Sequence, residues 1–228
     1  MFYYYGAKNM MAKHYPPPKH KTIIEPFSGS GAYSCFHLMR DESLNAILID
    51  KDKEVSDTWN FLLECSVDDI LNFPKPDIGE YTTEFLLKTC SVSNASSKCI
   101  KMKFSERMNR VFEIQKRRIC KLFCIRDRIS FIEGNYTDYD NVESTWFIDP
   151  PYQIIQKNNS IFQNGNGYSR TCSSDSLSYE DLGSFCKSRI GQTIVCEKEG
   201  ADWMPFSVLK SNKTSQNRKY NEMIWTKE

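Results

Sequence analysis

Asp149-Pro150-Pro151-Tyr152 follows directly on the apolar run Trp146-Phe147-Ile148. These residue types suit the handling of a planar amine. The amino group of an aromatic base is a weak nucleophile because its lone pair is delocalised into the ring. Two acceptors aimed at its N–H bonds draw that pair back onto nitrogen. Asp149 offers one acceptor and the Pro150 carbonyl a second. The fixed φ of proline holds that carbonyl in place, and Pro151 stiffens the turn. Tyr152 can stack on the face of the ring, a contact worth about 1–3 kcal/mol. The alternative is a Pro-Pro turn with an acidic cap and a packed tyrosine.

A second group stands at Glu25-Pro26-Phe27-Ser28-Gly29-Ser30-Gly31, after the apolar pair Ile23-Ile24. Two glycines separated by one residue let a backbone pass close to a ligand and take positive φ. Asp50 lies 21 residues beyond Gly29, at the end of the next apolar run. A carboxylate there can accept hydrogen bonds from both hydroxyls of a ribose. A Gly-x-Gly turn alone is also found as a plain strand-to-helix turn. No Gly-Lys-Ser/Thr tail follows, which argues against a phosphate loop, and no third glycine supports a dinucleotide site.

The elements that must position these groups read as follows. Thr22 to Glu25 is a short buried strand, and Ala32 to Met39 a helix. Asn45 to Asp50 is a second strand. A helix carrying Val55, Trp59, Leu62 and Leu63 at helical spacing comes next. Strand–helix alternation predicts a doubly wound α/β sheet. The alternation breaks at 65–128, read as a helical insertion. Within it, Thr82 to Cys90 reads as a short helix and Ser91 to Lys98 as a polar loop. Ser105 to Ile125 reads as a long amphipathic helix burying Met108, Val111, Phe112, Ile119, Leu122 and Phe123. Strands resume at Arg128 to Glu133 and Thr145 to Ile148. Gln153 to Ser178 reads as a polar connection. Tyr179 to Lys187 follows as a helix, then a strand at Thr193 to Cys196, with core packing expected at Trp203 to Phe206. A polar loop is expected at Lys210 to Tyr220 before a final strand, Glu222 to Trp225. The domain division is therefore 1–64 with 129–228, and 65–128.

With 228 residues, 40% hydrophobic and 26% charged, the chain can bury a sizeable core as a soluble protein. No apolar run approaches the roughly 18 residues that span a bilayer, so no membrane partner is expected. The aromatic start at Met1 to Gly6 lacks the apolar centre of a secretory signal. A reducing, intracellular location follows: cytoplasm or nucleoid, or nucleus in a eukaryote. Nine cysteines without a Cys-x-x-Cys pair, beside three histidines, read as reduced thiols rather than a metal site. Net charge is +1 but strongly segregated. Asp41 to Glu84 carries a net of −9, and Lys98 to Arg128 a net of +8. Such a basic block suits a polyanion. Solvated charged faces would read the same way.

Taken together these segments resemble DNA adenine methyltransferases of the Dam type, over nearly the whole chain. Tyr5-Gly6-Ala7-Lys8 is similar to that family's N-terminal aromatic-Gly-small-Lys segment. Pro26 to Gly31 is similar to its Phe-x-Gly-x-Gly loop, and Asp149 to Tyr152 to its catalytic motif, in the same order. Gly134-Asn135-Tyr136 resembles its Gly-Asp-aromatic segment, with Asn135 in place of aspartate. The resemblance implies a Rossmann-like methyltransferase sheet with a small helical target-recognition insertion, acting on double-stranded DNA. The oligomeric state stays open with a monomer favoured, and the cysteine and histidine usage leaves no metal expected. It implies S-adenosylmethionine held by Tyr5, Gly6, Lys8, Pro26, Phe27, Ser28, Gly29, Gly31, Asp50, Asn135, Tyr136 and Asp149. Asp149, Pro150 and Tyr152 would be catalytic, acting on an adenine flipped out of the duplex at a cost of a few kcal/mol. Lys98, Lys101, Lys103, Arg107, Arg110, Arg117 and Arg118 would meet phosphates, with Tyr168 and Arg170 as further nucleic-acid contacts. Methylation of an RNA base or of cytosine, and a silent nucleic-acid-binding protein of the same fold, are the other readings.

Overall fold

The computed structural model describes residues 2, 8–82, 102–153, 177–213 and 219–228. The chain runs β1 (Thr22–Glu25), α1 (Ala32–Leu38), β2 (Asn45–Asp50), α2 (Lys53–Glu64), α3 (Val67–Leu71), β3 (Tyr81–Thr82), β4 (Met102–Lys103) and α4 (Glu106–Ile119). It continues with β5 (Ile129–Glu133), β6 (Ser144–Ile148), α5 (Tyr179–Ser188), β7 (Gly191–Lys198), β8 (Ser207–Lys213) and β9 (Lys219–Lys227). Seven strands form one sheet in the order β5-β2-β1-β6-β7-β9-β8. The first five are parallel. β9 runs antiparallel to β7, and β8 antiparallel to β9.

The strand order sets where a ligand can sit. From β1 the chain builds outward through β2 to β5, then returns to place β6 on the other side of β1. The reversal falls between β1 and β6, and open sheets of this kind bind ligands at the carboxyl ends flanking such a reversal. Ile23 stands beside Thr145 and Ile24 beside Trp146, so both strands leave the sheet at the same edge. One ends in the turn Pro26 to Gly31 and the other in Asp149. The two sequence groups are thus neighbours by topology.

The strands are apolar because both faces are covered. Ile23, Leu48, Phe147 and Ile194 pack with Trp59 of α2 in one cluster. Ile24, Ile49, Trp146, Ile148 and Val195 pack with Leu182 and Cys186 of α5 in the other. Helix starts are capped by short polar side chains. Asp52 accepts from Glu54 N, and Ser105 from Met108 N. Ser66 and Asp69 bond reciprocally at α3.

Three expectations change. The long helix stops at Ile119 and tightens into a 3₁₀ turn over Cys120–Cys124. Its buried Met108, Phe112, Ile119 and Leu122 join the cluster of Leu48 and Trp59, so the 65–128 segment shares the core of the sheet. That segment also holds the two-residue antiparallel pair β3–β4, and Thr82 belongs to it rather than to a helix. Finally, Lys210 to Tyr220 is not simply a loop: β8 runs to Lys213 and β9 begins at Lys219. An outermost strand bonds on one side only, so its side chains stay polar or exposed, like Val208 at 54%. It therefore lacks the buried run that marks an inner strand. The remainder of the 83–90 helix, the polar loop before Lys98, and 154–176 lie outside the described residues. Among the described residues no helix is long and apolar enough to cross a membrane. Cys35, Cys65, Cys186 and Cys196 are buried thiols.

Candidate active site

The glycine turn is tied to its neighbours by backbone bonds. Ser28 N donates to Ile49 O at 3.0 Å. Gly29 N donates to Asp50 Oδ2 at 2.9 Å, and Gly29 O accepts from Trp59 Nε1 at 2.8 Å. The other Asp50 oxygen accepts from Asp52 N at 3.0 Å. Asp50 therefore braces the turn from the end of β2. Bracing is compatible with the ribose contact expected of it, because a carboxylate accepts up to about four hydrogen bonds.

Gly31 caps α1 with φ +59° and no side chain to bond the first turn. Glu25 does that job from β1, its Oε1 accepting from Ser34 N at 2.7 Å. Gly31 also has no room. A Cβ there would lie 2.9 Å from Leu48 Cδ1 and 3.0 Å from Trp59 Cζ2. Gly31→Ala combines left-handed backbone strain with a clash against two fully buried side chains. It is expected to lower stability by about 2–3 kcal/mol in urea unfolding.

The rim of the turn is aromatic. Phe27 and Tyr136 stack with centroids 5.1 Å apart at 23°, and Tyr136 meets Phe185 edge-on. Pro26 is buried. Gly134 N donates to the Asp50 carbonyl at 3.1 Å, which ties this rim to β2. Asn135 is exposed and shapes the local turn: its Oδ1 accepts from Tyr136 N at 2.8 Å, and its own N–H donates to Asp138 Oδ2 at 2.7 Å. The hydroxyls of Ser28 and Ser30 are buried without a hydrogen-bond partner. Such groups are costly to leave unpaired, and beside a glycine turn they suit a polar ligand.

Next to this turn Asp149 leaves β6. Lys8 Nζ lies 2.8 Å from Asp149 Oδ1 and 3.7 Å from Glu222 Oε1. The same ammonium stands 4.6 Å from the centroid of the Tyr152 ring. Tyr152 and Tyr15 both donate their hydroxyls to Glu222 Oε1, at 2.9 and 2.6 Å. Burial alone would lower the pKa of Lys8. The carboxylates of Asp149 and Glu222 outweigh it and hold the ammonium charged. Burial pushes the Asp149 carboxyl up, and Lys8 draws it partly back. The Asp149 side chain keeps 17% of its surface exposed.

The turn after Asp149 is anchored on both sides. Pro150 and Pro151 are buried. The Pro151 carbonyl accepts from Tyr179 Oη at 2.8 Å. Gln153 N donates to Glu197 Oε2 at 3.1 Å, and Trp203 Nε1 donates to the same oxygen at 2.9 Å. Trp203 thus covers the turn's anchor, while Met204 beside it is core. An aromatic amine presented here would meet a carboxylate, a fixed peptide oxygen and a tyrosine ring.

Of the residues singled out by sequence, Lys8, Asp149 and Tyr152 form one contact network. Pro26, Phe27, Ser28, Gly29, Gly31, Asp50, Asn135 and Tyr136 gather on the neighbouring strand ends. Lys8, expected as a cofactor contact, is the partner of Asp149. Arg107, Arg110, Arg117 and Arg118 are exposed on α4, with Arg110 3.7 Å from Glu106. Lys103 is exposed above the Tyr81 ring. Tyr5, Gly6, Lys98, Lys101, Tyr168 and Arg170 lie outside the described residues. Tyr15, Glu197 and Glu222 are the site residues that the sequence did not suggest. Glu222 carried one signal, a lone acid opening the apolar run Met223-Ile224-Trp225.

No protein-family model matches the chain, and no curated protein matches it either. Solved structures do. P. horikoshii TYW2, solved in complex with MeSAdo, is 11% identical with a TM-score of 0.41, over 97% of this chain and 61% of that one. The mitomycin 7-O-methyltransferase MmcR is 8% identical with a TM-score of 0.42, over 96% and 52%. The Escherichia coli protein yhhF, which carries a provisional methyltransferase name, is 12% identical with a TM-score of 0.38, over 89% and 74%. Likeness this distant says nothing of substrate or chemistry.

Proposed function

We propose that the protein transfers a methyl group from S-adenosylmethionine to the exocyclic amine of adenine in DNA. One observation carries this reading: Asp149-Pro150-Pro151-Tyr152 and the Gly29 to Gly31 turn leave adjacent parallel strands at the reversal of strand order. The resemblance of these segments and of Lys8 to Dam-type enzymes adds the base and the nucleic acid. The buried Ser28 and Ser30 hydroxyls, the Asp50 carboxylate and the Phe27–Tyr136 pair are of the types that a ligand with amino-acid, ribose and adenine parts requires.

S-adenosylmethionine would supply an electrophilic methyl group. The chain's own part is positioning and charge complementarity. Asp149 and the Pro150 carbonyl accept the two amine N–H bonds and localise the lone pair. Tyr152 sets the plane of the base, its own hydroxyl fixed by Glu222. Asp149 orients the amine, and its negative charge favours the cationic nitrogen that forms. The proton then on nitrogen is acidic and leaves to solvent or carboxylate.

The exposed arginines of α4 would bind phosphate without reading sequence. Each phosphate contact adds about 0.9 to the slope of log affinity against log salt. Arg117→Ala with Arg118→Ala is expected to reduce that slope by about 2 in filter binding to duplex DNA.

The substrate assignment is tested with labelled S-adenosylmethionine and duplex DNA in competition with structured RNA. Label is expected in DNA, recovered as N6-methyladenine after digestion. Label in RNA or in cytosine would move the activity to that base. Absence of transfer, with no cofactor binding by calorimetry, would make the chain a silent nucleic-acid-binding protein.

A further inference from the structure

We propose that Glu222 is a positioning residue of the active site, holding Tyr152 and Lys8 in the arrangement that lets Asp149 receive an amine. This rests on the methyltransferase reading and deepens it. Glu222 is delivered by topology. β9 is antiparallel to β7 and its Glu222 stands beside Lys198, the last residue of β7. Only a strand running against the others brings its opening residues to the carboxyl edge where Asp149 lies. Glu222 is 5% exposed, and a buried carboxylate is retained only with partners. A single oxygen, Oε1, serves three groups: Tyr15 Oη at 2.6 Å, Tyr152 Oη at 2.9 Å and Lys8 Nζ at 3.7 Å.

These contacts act in two ways. The ring of Tyr152 is set in plane, because its hydroxyl is tethered at the far end from the Pro150-Pro151 turn. Tyr15 in turn is fixed edge-on against Phe147 of β6, which ties the tether to the sheet. The second effect is electrostatic. Lys8 and Asp149 alone form a neutral pair, poorly suited to a nitrogen that becomes positive. Glu222, 3.7 Å from the same ammonium, restores a net negative charge. Its side-chain contacts are with Tyr15, Tyr152 and Lys8, and it acts through them.

The test compares Glu222→Ala, Glu222→Gln, Tyr152→Phe and the Glu222→Ala/Tyr152→Phe pair for kcat, S-adenosylmethionine Kd and thermal midpoint. Glu222→Ala is expected to lower kcat by ~10²-fold with cofactor Kd within about twofold of wild type. Glu222→Gln keeps an acceptor but not the charge, and is expected to lose about tenfold. The double variant should lose less than the product of its parts, since both act on one ring. Should Glu222→Ala fail to fold, Glu222→Gln decides alone. Wild-type kcat in a folded Glu222→Ala or Glu222→Gln protein overturns the proposal, as does a loss confined to cofactor Kd. An inactive wild type instead sinks the methyltransferase reading. The contact itself is then checked by NMR of labelled tyrosine, where Glu222→Gln must move the Tyr15 and Tyr152 ring signals.

Discussion

Stability is expected to fall as pH rises from about 5 to about 8, and Glu25 is expected to account for most of the fall. Glu25 is 2% exposed at the end of β1. Burial pushes its carboxyl up from 4.5 to about 8, Ser34 pulling it back and Asp149 adding to the rise. Between those two values the folded protein holds a proton that the unfolded chain has released. Stability therefore decreases with pH across that window, and the stabilising contribution is complete only below it. Every tenfold gain in proton affinity on folding is worth about 1.4 kcal/mol, so the full fall is on the order of 4 kcal/mol. Glu25→Gln keeps the shape and can still accept from Ser34 N. Urea midpoints at about pH 5, 6.5 and 8 are expected to drop steeply for the wild type and much less for Glu25→Gln, whose remaining fall comes from the Asp149 and Glu197 carboxyls that burial also raises. Parallel curves for the two proteins would show that Glu25 is not the group responsible.

Lys8→Met is expected to cost about 3 kcal/mol of stability and to move the acidic limb of the rate profile to higher pH. The ammonium is buried between two carboxylates, with a 7% exposed side chain. Removing it leaves Asp149 without its cation. Burial already raises the Asp149 carboxyl, and Lys8 is what draws it down. Without Lys8 the pKa rises further, so more of the group is protonated at a given pH. A protonated acid donates where the mechanism needs an acceptor. Transfer at neutral pH falls and recovers in alkali. Lys8→Arg keeps the charge and is expected to leave the acidic limb near its wild-type position. A Lys8→Met limb at the wild-type position would show that the ammonium does not tune Asp149.

The inner sheet was legible in the chain because its strands are apolar without interruption. Ile23-Ile24, Ile47 to Ile49, Trp146 to Ile148 and Thr193 to Cys196 all lie where the pattern placed them. Asp149 was legible for the same reason, as the first charge after such a run. The register that sets β6 beside β1 was not, since pairing is non-local and no single segment encodes it. β8 escaped notice because an edge strand has one bonded side and no buried stripe. Glu222 escaped because its meaning depends on strand direction. On a parallel strand its place at the start of the run would have put it at the opposite edge. The end of α4 was overestimated because the apolar spacing of Leu122 and Phe123 continues past Ile119, while the backbone tightens there into a 3₁₀ turn. Lys8 was placed by resemblance beside the cofactor. Its contact with Asp149 is a matter of side-chain packing that spacing does not carry.

The most direct measurement is methyl transfer to duplex DNA by wild type and Asp149→Asn at saturating S-adenosylmethionine, with cofactor binding measured separately on each. The amide keeps the size of the carboxylate but loses its charge and one acceptor. Wild type should yield N6-methyladenine, and Asp149→Asn should bind cofactor yet transfer ~10²–10³-fold more slowly. Transfer by a folded Asp149→Asn protein at the wild-type rate would contradict the assignment of Asp149 as the group that receives the amine.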